Sequence, residues 1–185
     1  QTLGGSGYLQ DHPIEQYIRD AKIDSLYEGT TAIQAQDLFF RKVVRDEGRA
    51  FGHLTKQIDE FLDDPTARPE LAQGRQMLTN ALADVRAMVT TMTAYYAKSP
   101  DEPQELYRVG LRSVPFLLAF GDLLVGWLLL RQAEIALIAL DGDPADGDRA
   151  FYRGKVSAAI AFAKNVLPRL AAERRISEGI DLAVM

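Results

Sequence analysis

From Leu71 to Tyr96 the apolar residues Leu71, Leu78, Leu82, Val85, Val89, Met92 and Tyr96 recur at steps of three, four and seven. That is the period of one face of an α-helix, and a strand, whose side chains alternate, cannot produce it. The same spacing runs through Ile33, Phe40, Val44, Phe51, Leu54, Ile58 and Phe61, which predicts a helix from Thr31 to about Leu62. It returns in Val156, Ile160, Ala163, Leu167 and Leu170 near the carboxyl end, on a predicted final helix that also carries Phe151. No alternating apolar and polar run appears, so the expected class is all-α, an antiparallel bundle of four long helices joined by short connections.

Proline and small polar residues set the expected boundaries. Pro13 suits the first turn of a short helix reaching about Asp24, because proline lacks the N–H that would be unpaired there. Thr31 and Gln34 have capping-box spacing and mark a helix start. Asp63-Asp64-Pro65 breaks the next stripe and Pro69 can open the following helix, while Ser99-Pro100 and Pro103 form a loop. A helix from about Gln104 meets Pro115, which removes one hydrogen bond and predicts a kink or a split there. Beyond it, Phe116 to Leu140 is apolar on nearly all sides, as a central bundle helix would be.

The most apolar stretch, Val114 to Leu130, contains Pro115, Gly121, Asp122 and Gly126, with Arg131 and Glu134 directly after it. A membrane span needs about 20 apolar residues without a central charge. A buried bundle helix, and no membrane span, is the expectation. With 26 acidic against 21 basic residues, and the basic ones scattered, nucleic acid is not an expected partner. The absence of cysteine excludes disulfides, thiolate metal sites and a cysteine nucleophile, and fits a reducing cytoplasm.

No metal is expected either. Asp141, Asp143, Asp146 and Asp148 offer clustered oxygens but lack EF-hand spacing, so a solvated capping loop is the favoured reading. His12 and His53 have no second nitrogen ligand at helical spacing. Phe39-Phe40 and Tyr95-Tyr96 read as core or interface aromatics.

Residues 1–34 hold a density of special residues that helix packing does not require. Gln1-x-Leu3-Gly4-Gly5-x-Gly7-Tyr8 places three glycines within four positions, which permits close backbone approach or a sharp turn. Pro13-x-Glu15, Arg19-Asp20-Ala21-Lys22-Ile23 and Tyr27-Glu28-Gly29-Thr30 follow in that order. This succession resembles the acyl-CoA dehydrogenase family, whose members carry Q-x-x-G-G-x-G-[FY], P-x-E, R-D-A-K-I and Y-E-G-T in the same order. The likeness is strong from Gln1 to about Val44, then becomes an architectural likeness to the helical extension of larger members.

The resemblance implies an FAD-dependent dehydrogenation of acyl-CoA thioesters to trans-2-enoyl-CoA, with electrons passed to an electron-transfer flavoprotein. In the family the Glu of Y-E-G-T removes the α-proton while the β-hydrogen leaves as hydride to the flavin; carried over, that base is Glu28. The backbone N–H of Glu28 then donates to the thioester carbonyl, Gly29 leaves room beside it, and Tyr27 lines the acyl pocket. Thr30 is implied to contact FAD, and Gln1, Gly4 and Gly5 to reach the flavin of the neighbouring subunit. Many relatives have a flavin-contacting Gln two residues after that Thr, where this chain has Ala32. Arg19 and Asp20 are assigned to an ion pair or helix packing.

A carboxylate in water is a weak base for a thioester α-proton. Desolvation by acyl chain and flavin raises its pKa towards the working range, while the helix beginning near Thr31 favours the anion. Two other readings are an acyl-CoA oxidase and a non-catalytic helical interaction module. Starting inside a Gly-rich motif, the chain reads as a piece of a longer polypeptide, folded but inactive alone. The expected division is 1–64, the end of the dehydrogenase helical domain with the catalytic turn, and 65–185, an appended bundle. The parent enzyme is expected to be a homodimer.

Overall fold

Among the residues that the computed structural model describes, 2–26 and 31–183, the chain is helical with no strand, as the apolar period requires. The helices are α1 (Ile14–Lys22), α2 (Thr31–Gln36), α3 (Arg49–Leu62), α4 (Ala72–Lys98), α5 (Glu105–Asp141), α6 (Asp146–Asn165) and α7 (Leu170–Glu178). Short 3₁₀ turns cover Gly4–Tyr8, Ile23–Ser25, Pro69–Leu71 and Leu167–Arg169. In the bundle α5 packs against α4 and α6, and α4 receives α7.

The stripe of α4 is buried as expected: Leu71, Leu78, Leu82, Val85 and Met92 lie in the core, while Tyr96 at the far end is partly exposed. α5 contributes Phe116, Leu123, Trp127 and Leu130 to the same core, and α6 contributes Ala159 and Ala163. Its 37 residues are long and apolar enough by length and composition to cross a membrane, and one face is taken up by this core.

Three boundaries differ from the sequence expectation. The helix expected from Thr31 to Leu62 is broken. α2 widens into a π-helix over Asp37–Val44 and the chain then turns through Glu47 and Gly48, both at positive φ (56° and 73°), before α3 starts. The left-handed turn relies on Gly48, the residue type with no steric penalty there. The wider helix also shifts the register, so Phe39 rather than Phe40 is fully buried and Ile33 is exposed.

Pro115 does not split its helix: α5 runs unbroken from Glu105 to Asp141. The carbonyl that Pro115 leaves without a partner belongs to Leu111, four residues back on an exposed turn, where water can satisfy it. The last predicted helix, in contrast, is broken near Pro168 into α6 and α7, and Phe151, counted among its apolar residues, is exposed.

Two glycines set how closely the helices approach. A Cβ on Gly74 of α4 would sit 2.8 Å from Leu130 Cδ2 of α5, and one on Gly126 of α5 would sit 2.8 Å from Leu167 Cδ2. Leu130 and Leu167 are buried, so either would have to repack within the core to yield.

Buried charge ties the elements together. Arg75 on α4 donates to Glu134 Oε1 on α5 at 2.5 Å and to the Phe61 carbonyl at the end of α3, and its guanidinium lies 4.3 Å over the Phe61 ring. Burial raises the Glu134 carboxyl above its ordinary value, against the pull of Arg75. At the other end Arg112 of α5 donates to Ser177 Oγ at 3.0 Å and Glu173 Oε2 at 2.5 Å, both on α7. Tyr95 Oη donates to the Ser177 carbonyl at 2.9 Å. Each arginine is less than a tenth exposed.

Replacing Gly126 with Ala is expected to destabilise the protein by about 1 kcal/mol, because overpacking against Leu167 outweighs the helix propensity gained. Gly121→Ala, where a Cβ meets open space, should stabilise by about 0.5–1 kcal/mol. Urea denaturation of both variants checks the pair; equal signs would contradict it. Arg75→Met should cost about 3–5 kcal/mol, since Glu134 is left without its partner. Arg75→Met with Glu134→Leu should recover most of that loss in the same assay, but not the part due to the Phe61 carbonyl.

Candidate functional site

The glycine-rich motif folds into the 3₁₀ turn Gly4–Tyr8, with Gly4 at φ 56°. A Cβ added to Gly4 or Gly5 would meet nothing within 4 Å, so their backbone is bare. Gly7 has a different role: a Cβ there would touch Leu3 Cβ at 3.4 Å and Ile14 Cγ2 at 3.8 Å, so this glycine lets the turn approach the start of α1. Between turn and helix lies an open hollow of about 840 Å³, lined by Leu3, Gly4, Tyr8, Ile14 and Ile18 among others. That volume falls within the roughly 300–1,000 Å³ of small-ligand clefts.

α1 links two of the sequence motifs. Arg19, from the Arg-Asp-Ala-Lys-Ile stretch, pairs with Glu15 of the Pro-x-Glu stretch at 3.1 Å, and also donates to Gln16 Oε1 at 2.6 Å. Asp20 does not pair with Arg19; it accepts from Gln16 Nε2 at 2.8 Å. Arg19 is therefore in an ion pair, as expected, with Glu15 as partner. Such an exposed pair contributes only about 0–1 kcal/mol, and its effect is to fix the orientation of one helical face.

Of the residues singled out for chemistry, Gly4 and Gly5 are described. Gln1, Tyr27, Glu28, Gly29 and Thr30 lie outside the described residues. α2 begins at Thr31, where the capping spacing put a helix start, and Ala32 is exposed on its first turn. The bare, ligand-accessible backbone of Gly4 and Gly5 fits a bulky cofactor that needs close main-chain approach.

The acidic loop is held by ion pairs and not by side-chain caps, since Ala145 stands at the N-cap of α6 and no side chain caps it. Arg68 donates to both Asp141 oxygens, at 2.6 and 3.3 Å, and holds that carboxyl below its ordinary value; Arg149 pairs with Asp143; Asp146 and Asp148 occupy the first turn of α6. Among the described residues no group of three or more His, Asp or Glu side chains is placed to hold a metal ion. Phe39 is core, in edge contact with Phe40 at 5.2 Å, and Phe40 in turn meets Tyr96 at 5.7 Å.

Sequence reasoning missed the buried arginines. Their signal was present: Arg75 falls between Leu71 and Leu78, and Arg112 between Val109 and Phe116, at the spacing of apolar residues in each stripe.

A profile described as "Acetyl-CoA dehydrogenase C-terminal like" matches residues 54–185, and one described as "Acyl-CoA dehydrogenase, C-terminal domain" matches residues 1–41. The chain is 55% identical, over its whole length, to 30% of the broad-specificity linear acyl-CoA dehydrogenase FadE5 of Mycobacterium tuberculosis. It is 35% identical to the 3-methylmercaptopropionyl-CoA dehydrogenase of Ruegeria pomeroyi, over 98% of this chain and 30% of that protein. With a butyryl-CoA dehydrogenase of Syntrophomonas wolfei the identity is 31%, over 91% of this chain and 27% of the relative. The chain thus spans about 30% of the length of these relatives. With one profile covering 54–185 and the four motifs of residues 1–34 in family order, the chain belongs to the acyl-CoA dehydrogenase family.

Proposed function

We propose that the protein containing this chain catalyses FAD-dependent α,β-dehydrogenation of acyl-CoA thioesters, and that Glu28 is the base. The observation that carries the reading is Tyr27-Glu28-Gly29-Thr30 in register behind three other family motifs. Glu28 takes the α-proton on its carboxylate. Its backbone N–H donates to the thioester carbonyl and stabilises the enolate charge that develops there. Gly29 leaves space beside the carbonyl and Tyr27 borders the acyl chain. Gln1, Gly4, Gly5 and Thr30 hold FAD; Gly4 and Gly5 contribute through the bare backbone described above. The flavin, when bound, supplies the hydride acceptor.

On this reading residues 1–64 complete the helical domain of the dehydrogenase and 65–185 form an appended bundle packed on it. The enzyme is a cytoplasmic homodimer that hands its electrons to an electron-transfer flavoprotein. The chain alone is inactive, since most of the flavin and acyl-CoA contacts lie elsewhere in the protein.

Glu28→Gln in the flavin-loaded enzyme should keep fold and flavin absorbance but lower turnover by ~10²–10⁴-fold, the usual contribution of a positioned base. The check is acyl-CoA-dependent reduction of an artificial electron acceptor, with peroxide measured in parallel. A variant retaining more than about a tenth of the rate would place the base elsewhere. Stoichiometric peroxide during aerobic turnover would identify an oxidase.

Light scattering on the purified enzyme should give a dimer. Deletion of residues 65–185 should uncover the surface on which a second dimer docks and give a tetramer. A stable tetramer of the intact protein would contradict the proposed packing.

A further inference from the structure

Between α5 and α6 an open cavity of about 320 Å³ is lined by Gln132, Ile135 and Ala136 from one helix and Phe151, Tyr152 and Lys155 from the other. Its volume is at the small end of ligand clefts, which start near ~300 Å³. The apolar walls face solvent: Ile135 is 66% exposed and Phe151 58%, and Ile138, one turn along the same face of α5, is 64% exposed. Phe151 and Tyr152 meet edge to face, with ring centroids 5.6 Å apart.

At the cavity stands a charge without a counter-charge. Lys155 is half-buried, and its Nζ donates to Gln132 Oε1 at 3.2 Å and lies 5.4 Å from the Phe151 ring centroid. Among the described residues no carboxylate is within ion-pair distance of it. Buried or half-buried arginines elsewhere in the bundle differ: Arg68, Arg75, Arg112, Arg149 and Arg174 all have carboxylate partners. A cation held by an amide and an aromatic face, beside exposed isoleucine and phenylalanine, calls for a ligand with an anionic head and an apolar tail.

We propose that this cavity binds an amphiphilic carboxylate, with its head on Lys155 and Gln132 and its tail along Phe151, Ile135 and Ile138. The inference stands independently of the function proposed above, since it uses no residue of the flavin or thioester site. A second copy is a poorer occupant, because no carboxylate lines the cavity, so the same patch on a symmetric partner offers Lys155 no counter-charge.

The test is calorimetric titration of the purified protein with decanoate below its micelle concentration, beside decanol and acetate. Saturable one-to-one binding of decanoate is expected, with decanol at least about tenfold weaker for lack of a charged head. Acetate should not bind measurably, since it has no tail. Lys155→Met should weaken decanoate about tenfold without changing decanol, Lys155→Arg should retain it, and Phe151→Ser should weaken both. Circular dichroism confirms that each variant is helical, which a half-exposed position predicts. Equal binding of decanoate and decanol, or no effect of Lys155→Met, overturns the proposal. Self-association lost in Phe151→Ser would overturn it in favour of an interface between copies.

Discussion

Arg75 is the point at which three helices become one structure. It sits on α4, accepts its charge balance from Glu134 of α5 and satisfies the last-turn carbonyl of Phe61 on α3. A guanidinium that is only 7% exposed must have partners on every side, because an unpaired buried charge is far costlier than any packing contact it replaces. The aliphatic stripes bring α3, α4 and α5 together, but apolar contact is non-directional and tolerates a shift of one turn. The fork of Arg75, with one acceptor on each neighbour, does not tolerate that shift. Arg112 has the same place at the opposite end, where it fixes α7 through Glu173 and Ser177.

That division between non-directional stripe and directional clamp explains how much of the fold was legible in the sequence. The α4 stripe named from spacing is the stripe that is buried, since a strong helical period leaves only one face to cover. Boundaries were harder, because they depend on partners far away in the chain. Pro115 looked like a break, yet α5 passes through it; packing along 37 residues outweighs one lost hydrogen bond whose carbonyl lies on an exposed turn. Pro168 drew no attention and does end a helix, at the place where Leu167 fits against Gly126. The π-helix at Asp37–Val44 has no local signature: its residues keep a usable α-helical spacing, and only the burial of Phe39 shows that the register has changed.

The candidate site was legible in the opposite way. Its motifs could be read from residue order, whereas the fold supplies only part of their geometry. The pairing of Arg19 with Glu15 joins two motifs that the sequence showed merely as neighbours. Gly4, Gly5 and Gly7, equivalent on paper, separate into two roles: a bare backbone open to a ligand and a close approach to α1. No spacing argument could distinguish them, because the distinction depends on which atoms of Leu3 and Ile14 come near.

The distribution of burial places a further constraint on the proposed chemistry. A carboxylate acts as a base towards a thioester α-proton only when water is removed from it. Yet neither residues 2–24 nor Leu26, leading to Tyr27-Glu28-Gly29-Thr30 in sequence, are buried, and Tyr8, Tyr17, Ile18 and Leu26 are all more than half exposed. The core lies instead along α4, α5 and α6, helices that supply none of the motif residues. On the proposed reading, the acyl chain, the flavin and other parts of the protein are what remove water from Glu28. The exposed apolar side chains of this segment supply surface for that covering. Covering them contributes roughly 25 cal/mol for each Å² removed from water, so the assembly that seats the substrate also stabilises the segment carrying the base. The bundle's share, on this view, is mechanical: it holds α2 and the π-helix that continues it through Ala35, Phe39 and the aromatic neighbours of Phe39.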